Sequence, residues 1–145
     1  MAGRYGMSFA KKHIEEGDYE KAIAAATESI TDGDVGPEPL FDRATALDLA
    51  ERYLDAVSDF EGAITRNGEE QEIDPFTIDD AYFSALLSAA RKEAERDVAK
   101  GVTLLQRYMQ FAPKGEHVAE CADWQKRLRG ELPSLLDKTK DIGAP

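Results

Sequence analysis

Few residues of this chain have the type and spacing that chemistry needs. The run Asp32-x-Asp34-x-Gly36 comes nearest to a cation loop, because alternate carboxylates are what a calcium site requires. Pro37 then stands where such a loop needs its turn glycine, and Arg43 where it needs a bidentate acid. The acids are therefore expected to be turn formers. His13 and His117 are the two histidines, and Cys121 is the single cysteine. Together they are too few soft ligands for a structural zinc site, and one cysteine excludes an internal disulfide. Cys121 lies beside Ala119 and Ala122, so a small buried hydrophobe is expected rather than a nucleophile. His117, close to a helix start, reads as a surface residue. Trp124 is expected to pack the last helix onto the helices before it. There is no glycine-rich phosphate loop, no nucleophile elbow and no spaced carboxylate–histidine pair. The expectation is a non-enzyme with no catalytic residue, no metal site and no cofactor.

The overall composition narrows the function further. The chain has 145 residues and a formal charge of −11, enough for one domain, residues 1–145, with its own core. No apolar run approaches the length of about 18–20 residues that a membrane span requires. The N-terminus lacks the charged-then-apolar pattern of a secretory signal, so a cytoplasmic location is expected. Net negative charge repels phosphate backbones and argues against nucleic acid as a partner. The charge is also lopsided. Residues 1–90 carry 20 acids and 7 bases, net −13, whereas residues 91–145 carry 9 acids and 11 bases, net +2. A basic partner for the N-terminal part, or head-to-tail attraction between copies, would use this asymmetry. A solvated acidic surface is the plainer reading.

These residues must be positioned by helices. Alanine is abundant and prolines fall between periodic segments; no stretch alternates as a strand would. The chain also repeats. Sliding the sequence along itself until Ala10 meets Ala44 also aligns Tyr19 with Tyr53, Ala22 with Ala56, Ile23 with Val57 and Ile30 with Ile64. Each window predicts two antiparallel helices, about 3–16 and 18–31, then about 38–50 and 53–66. A third copy follows at a longer shift, matching Ala44 with Ala89 and Val57 with Val102, and predicts helices at about 77–94 and 96–111. The extra length falls in an acidic insert, 67–81, opened by the turn signal Asn67-Gly68, with Pro75 reading as a helix start. A final helix is expected at about 116–130, and a tail at 131–145.

A helix–turn–helix unit with a 34-residue period and small residues at fixed places resembles the tetratricopeptide repeat. In the second window Leu40, Ala44, Leu47 and Ala56-x-x-x-Phe60 stand at the family's characteristic places. In the first, Gly17-Asp18-Tyr19 is similar to the family's turn, while Gly6 and Ala26 depart from its aromatic places. In the third, Gly101-x-x-x-Leu105 and Pro113 fit and Lys92 departs. The resemblance implies an all-α fold, a right-handed superhelical array of antiparallel helix pairs. Its repeats would span about 3–36, 37–70 and 82–115, closed by the cap helix. It places His13 between paired helices as a packing residue.

The resemblance also implies a binding scaffold that holds a peptide or amphipathic helix of another protein in a concave groove. By register with the family, Met7 and Lys11, then Phe41, Thr45 and Asp48, then Phe83 and Leu86 would line that groove, with Ala90 beside them. A clamp for chaperone tails is not expected. The places that would need basic and amide side chains hold Met7, Lys11, Asp42, Phe83 and Leu87, and Asp42 would repel a carboxylate. Two other readings are a self-associating scaffold built on the charge asymmetry and a small acidic chaperone for a secreted protein. Chaperones of that kind carry an extra helix before the first repeat, and little precedes residue 3 here.

Overall fold

The computed structural model describes residues 8–132. Among them lie seven helices and no strand: α1 (Phe9–Glu15), α2 (Tyr19–Thr31), α3 (Glu38–Leu49), α4 (Tyr53–Asn67), α5 (Pro75–Ala94), α6 (Val98–Phe111) and α7 (Val118–Leu128). Local chemistry sets several of the starts. The side chains of Ser8, Asp18 and Asp97 accept hydrogen bonds from the backbone N–H groups of Lys11, Lys21 and Lys100, satisfying orphan donors of a first turn. Pro39 and Pro75 sit in the first turns of α3 and α5, where a missing N–H costs nothing.

Each helix packs on the next along the chain, and in addition α1 touches α3, α3 touches α5 and α4 touches α6. Paired contacts give the directions. Arg43 meets Asp59, and Leu40 comes up to Gly62, so α3 and α4 run antiparallel. Ala90 against Gly101 and Phe83 against Tyr108 do the same for α5 and α6.

The turn between α1 and α2 has the same backbone hydrogen bonds as the turn between α3 and α4. Between α1 and α2, Gly17 N–H donates to Ile14 and Asp18 N–H to His13; at the matching places of the second window, Glu51 N–H donates to Asp48 and Arg52 N–H to Leu47. Gly17 and Glu51 both take the left-handed conformation, with φ of 79° and 62°. The expected small positions are all buried: Ala10, Ala22, Ala44, Ala56 and Ala89. Gly101, also buried, has no space for a methyl group. A Cβ there would lie 2.6 Å from the Ala90 carbonyl oxygen, so α5 and α6 approach more closely than any side chain allows.

Two boundaries differ from expectation: α1 starts at Phe9, capped by Ser8, and not near residue 3, and the insert ends early. The insert is shorter than 67–81, because α5 begins at Pro75 and takes up its second half. What remains is a loop tied shut by the buried Asn67, whose amide donates to the Ile73 carbonyl at 2.9 Å and accepts from the Ile73 N–H at 3.0 Å. The third inter-helix turn has no left-handed residue, and α5 buries a different arc from α3. The core is centred on pairs two and three, where Phe60, Tyr82, Leu86, Leu105 and Tyr108 are fully enclosed. The first pair contributes only alanines to the buried set.

Candidate functional site

Three of the expected site residues share one face of α3. Phe41, Thr45 and Asp48 follow each other at helical spacing on α3, and all three are half-buried. Phe41 meets Phe60 edge to face at 5.6 Å, and Thr45 donates to the Phe41 carbonyl one turn back at 2.9 Å. Asp48 makes no side-chain hydrogen bond or ion pair among the described residues, and burial raises its carboxyl above the usual aspartate value. A partly desolvated carboxylate with no cation beside it costs stability, unless something arrives to pair with it.

Lys11 reaches this face from α1 but is already committed. Its ammonium lies 2.8 Å from Asp42 and 3.5 Å from Glu38. Burial opposes the charge, yet the bonds to Asp42 and Glu38 prevail and its pKa is raised. Asp42, buried, also accepts from Ser8 at 3.0 Å. It is a tie between α1 and α3, a role its sequence position did not betray. Arg43 is the second tie, holding Asp59 through two hydrogen bonds and Thr27 through one, so α2, α3 and α4 share one guanidinium.

Phe83 and Leu86, expected in the groove, are core residues at 6% and 0% exposure. Phe83 packs edge to face on Tyr108 and is covered by the His117 ring, stacked at 4.4 Å. Ala90 is buried as well. The arc that α5 leaves open carries Ala81, Ser84 and Ser88 instead, so the apolar strip expected there is absent from this face. Met7 lies outside the described residues.

His117 is the clearest correction among the single residues. It closes the molecule instead of decorating it. One ring nitrogen lies 2.7 Å from Asp80 and the other 2.8 Å from Glu120, which joins the start of α5 to α7. A carboxylate at each ring nitrogen favours the doubly protonated imidazolium, which can donate to both. Burial disfavours that charge, but Asp80 and Glu120 outweigh it and the pKa is raised from 6.5. Beneath it the Tyr108 hydroxyl donates to Asp79 and accepts from the His117 N–H, while Glu116 N–H donates to the other Asp79 oxygen. Burial, and then the bond to Asp79, raise the tyrosine pKa. Gly115 passes so close that a Cβ would sit 2.0 Å from the Tyr108 hydroxyl.

Asp79, Asp80 and His117 bring three ligand-type atoms within 4.8 Å of one another. Both Asp79 oxygens and both His117 nitrogens already have hydrogen-bond partners, so the geometry is that of a full network. Its pH dependence has a definite sign. A folded-state pKa above the unfolded one makes the contribution complete below pH 6.5 and lost as pH rises through the raised value. Thermal melts of wild type and His117→Gln are expected to differ most below pH 6.5 and to converge as pH rises through the raised value. A gap that widened with pH would refute the imidazolium assignment.

The other sequence candidates fall where turn and packing chemistry put them. Asp34 accepts from the Gly36 N–H at 2.9 Å as a turn former. Cys121 is buried, its thiol pushed up to about 11 by burial. Trp124 packs onto the third pair with the Arg91 guanidinium 5.0 Å over its ring. His13 is half-buried, 3.5 Å from Glu16. The chain matches no protein-family model, no curated protein and no solved structure.

Proposed function

We propose that this protein is a tetratricopeptide-like interaction adaptor, three helix pairs and a capping helix in a right-handed array. Its α3 face would hold a segment of another protein. The fold part of the reading is supported by the turn that recurs bond for bond from the first window to the second, and by first helices that touch across successive pairs. Such an array contacts only its neighbours and leaves one row of helices free for a ligand.

The observation that carries the functional part is Asp48. A carboxylate held partly out of water with no partner among the described residues, on the same helix face as the aromatic Phe41 and the hydroxyl of Thr45, is arranged to receive a cationic side chain next to an apolar one. The acid excess of residues 1–90 steers a basic segment toward it. Lys11 acts as an internal tie and contributes no free charge to the ligand. The test is charge removal and reversal at Asp48. Asp48→Asn is expected to hold the partner weakly and Asp48→Lys not at all, both with wild-type helicity.

A further inference from the structure

A second concave site lies where α4 and α6 end and α5 begins. The loop tied by Asn67 and the segment between α6 and α7 border an open recess of about 330 Å³. Ile64, Phe76, Ile78, Phe111 and Pro113 make its apolar walls. Phe76 is 60% exposed, although it is among the largest apolar side chains in the molecule. Among the described residues nothing covers this aromatic or fills the apolar recess beside it.

The electrostatics of the rim choose the occupant. Glu69, Glu70, Glu72 and Asp74 lie in the loop among the lining residues Gly68, Gln71 and Pro75, all four exposed, with the Glu72 carboxylate close to Gly36. The stretch 67–80 has six acids and no base. Within the lining, Lys114 offsets Glu116, and Asp79 is satisfied by Tyr108 and by the Glu116 N–H. Two helix C-termini, those of α4 and α6, add their negative dipole ends. The N-terminus that faces them, that of α5, opens with Pro75, which has no N–H to offer an anion. The acids of this loop, with no ion pair among the described residues, thus neighbour an open apolar recess, an arrangement suited to an apolar anchor with basic flanks.

We infer that this recess is a docking site for a basic segment of another protein, which inserts one large apolar side chain beside Phe76 and sets flanking Lys or Arg against the insert acids. It is a different surface from the α3 face, and neither reading depends on the other. The probe is a library of random dodecapeptides displayed on phage and selected against the full chain, with recovered peptides then measured by fluorescence polarisation. The expected peptides share an apolar residue flanked by Lys or Arg. They lose at least about tenfold in affinity on Phe76→Ser, lose as much when Glu69, Glu70 and Glu72 are changed together to Gln, and bind Asp48→Lys as they bind wild type. Phe76 and the three glutamates are exposed, so these variants keep the fold. Selection of no peptide, selection of acidic peptides, or equal binding to wild type and Phe76→Ser would each overturn the proposal. Peptides weakened by Asp48→Lys but not by Phe76→Ser would also overturn it, while leaving the α3 face standing.

Discussion

Glu61→Ala is expected to lower the free energy of unfolding by about 3 kcal/mol. Glu61 is buried on α4, where one carboxylate meets two other helices. The Tyr82 hydroxyl of α5 donates to it at 2.7 Å, and the Arg107 guanidinium of α6 holds both of its oxygens. Tyr82 is fully enclosed, and burial together with the bond to Glu61 drives its pKa well above that of a free tyrosine. Removing the carboxylate leaves a hydroxyl without its acceptor and a guanidinium without its counter-ion. The figure lies at the lower end for a severed buried pair because the Arg107 side chain stays 36% exposed, and water restores part of its solvation. Denaturant unfolding of the variant measures the loss. A change under about 1 kcal/mol would mean that the pair behaves as a surface ion pair and that α4, α5 and α6 are held by packing alone.

The second large effect is expected from the smallest substitution. Gly115→Ala places a methyl carbon where the Tyr108 hydroxyl and an Asp79 oxygen already lie, at 2.0 and 2.6 Å. Tyr108 cannot retreat, being fully buried and in aromatic contact with Tyr82, Phe83 and His117. The loop must lift instead, breaking the Glu116 N–H and His117 N–H bonds together. Overpacking and lost buried hydrogen bonds add to about 3 kcal/mol, a fall in melting temperature of roughly 10 °C. The loop also carries the His117 bridge, so the pH dependence described above is expected to vanish in this variant. A Gly115→Ala protein with wild-type melting and pH response would contradict the close passage of the loop.

The contrast with Gly62 sharpens this point. A Cβ at Gly62 meets only the end of the Leu40 side chain, at 2.9 Å, which can rotate away. Glycines that look alike in the sequence thus differ in what they permit. At Gly101 and Gly115 the obstruction is a backbone carbonyl or a fixed tyrosine.

The helices were legible in the sequence because their signals are local. The prolines in first turns and the spacing of small residues act within a few positions of where they stand, whereas the caps Ser8 and Asp97 form no part of that pattern and α1 starts later than the repeat implied. The buried alanines of the repeat were readable for the same reason: each window solves the same packing problem. The rotation of α5 was not readable. Phe83 and Leu86 lie at places that match the α3 face by sequence shift, but the third turn lacks the left-handed residue of the first two, and His117 arrives from a distant part of the chain to cover Phe83. Long-range polar ties were invisible for a related reason. Asp42, Glu61 and Asp79 read as three acids among the chain's 29, and only the fold brings Lys11, Arg107 and Tyr108 to them.

The site was half legible. Phe41, Thr45 and Asp48 share one face of α3 as their spacing required, whereas the apolar strip expected on α5 is replaced by Ala81, Ser84 and Ser88. A charge introduced at Phe83 would therefore unfold the third pair without probing a groove. Asp48 is the better probe, because its carboxylate already costs the folded state some stability and no internal partner depends on it.

The central claim is that this half-buried carboxylate belongs to a protein-binding face. The measurement that tests it most directly is affinity capture from native lysate with wild type, Asp48→Asn and Asp48→Lys side by side, each verified as folded by circular dichroism. The account expects a partner retained by wild type, reduced with Asp48→Asn and absent with Asp48→Lys, and expects its contacting segment to be basic. The same proteins captured equally by all three, or nothing captured but further copies of the chain itself, would contradict it.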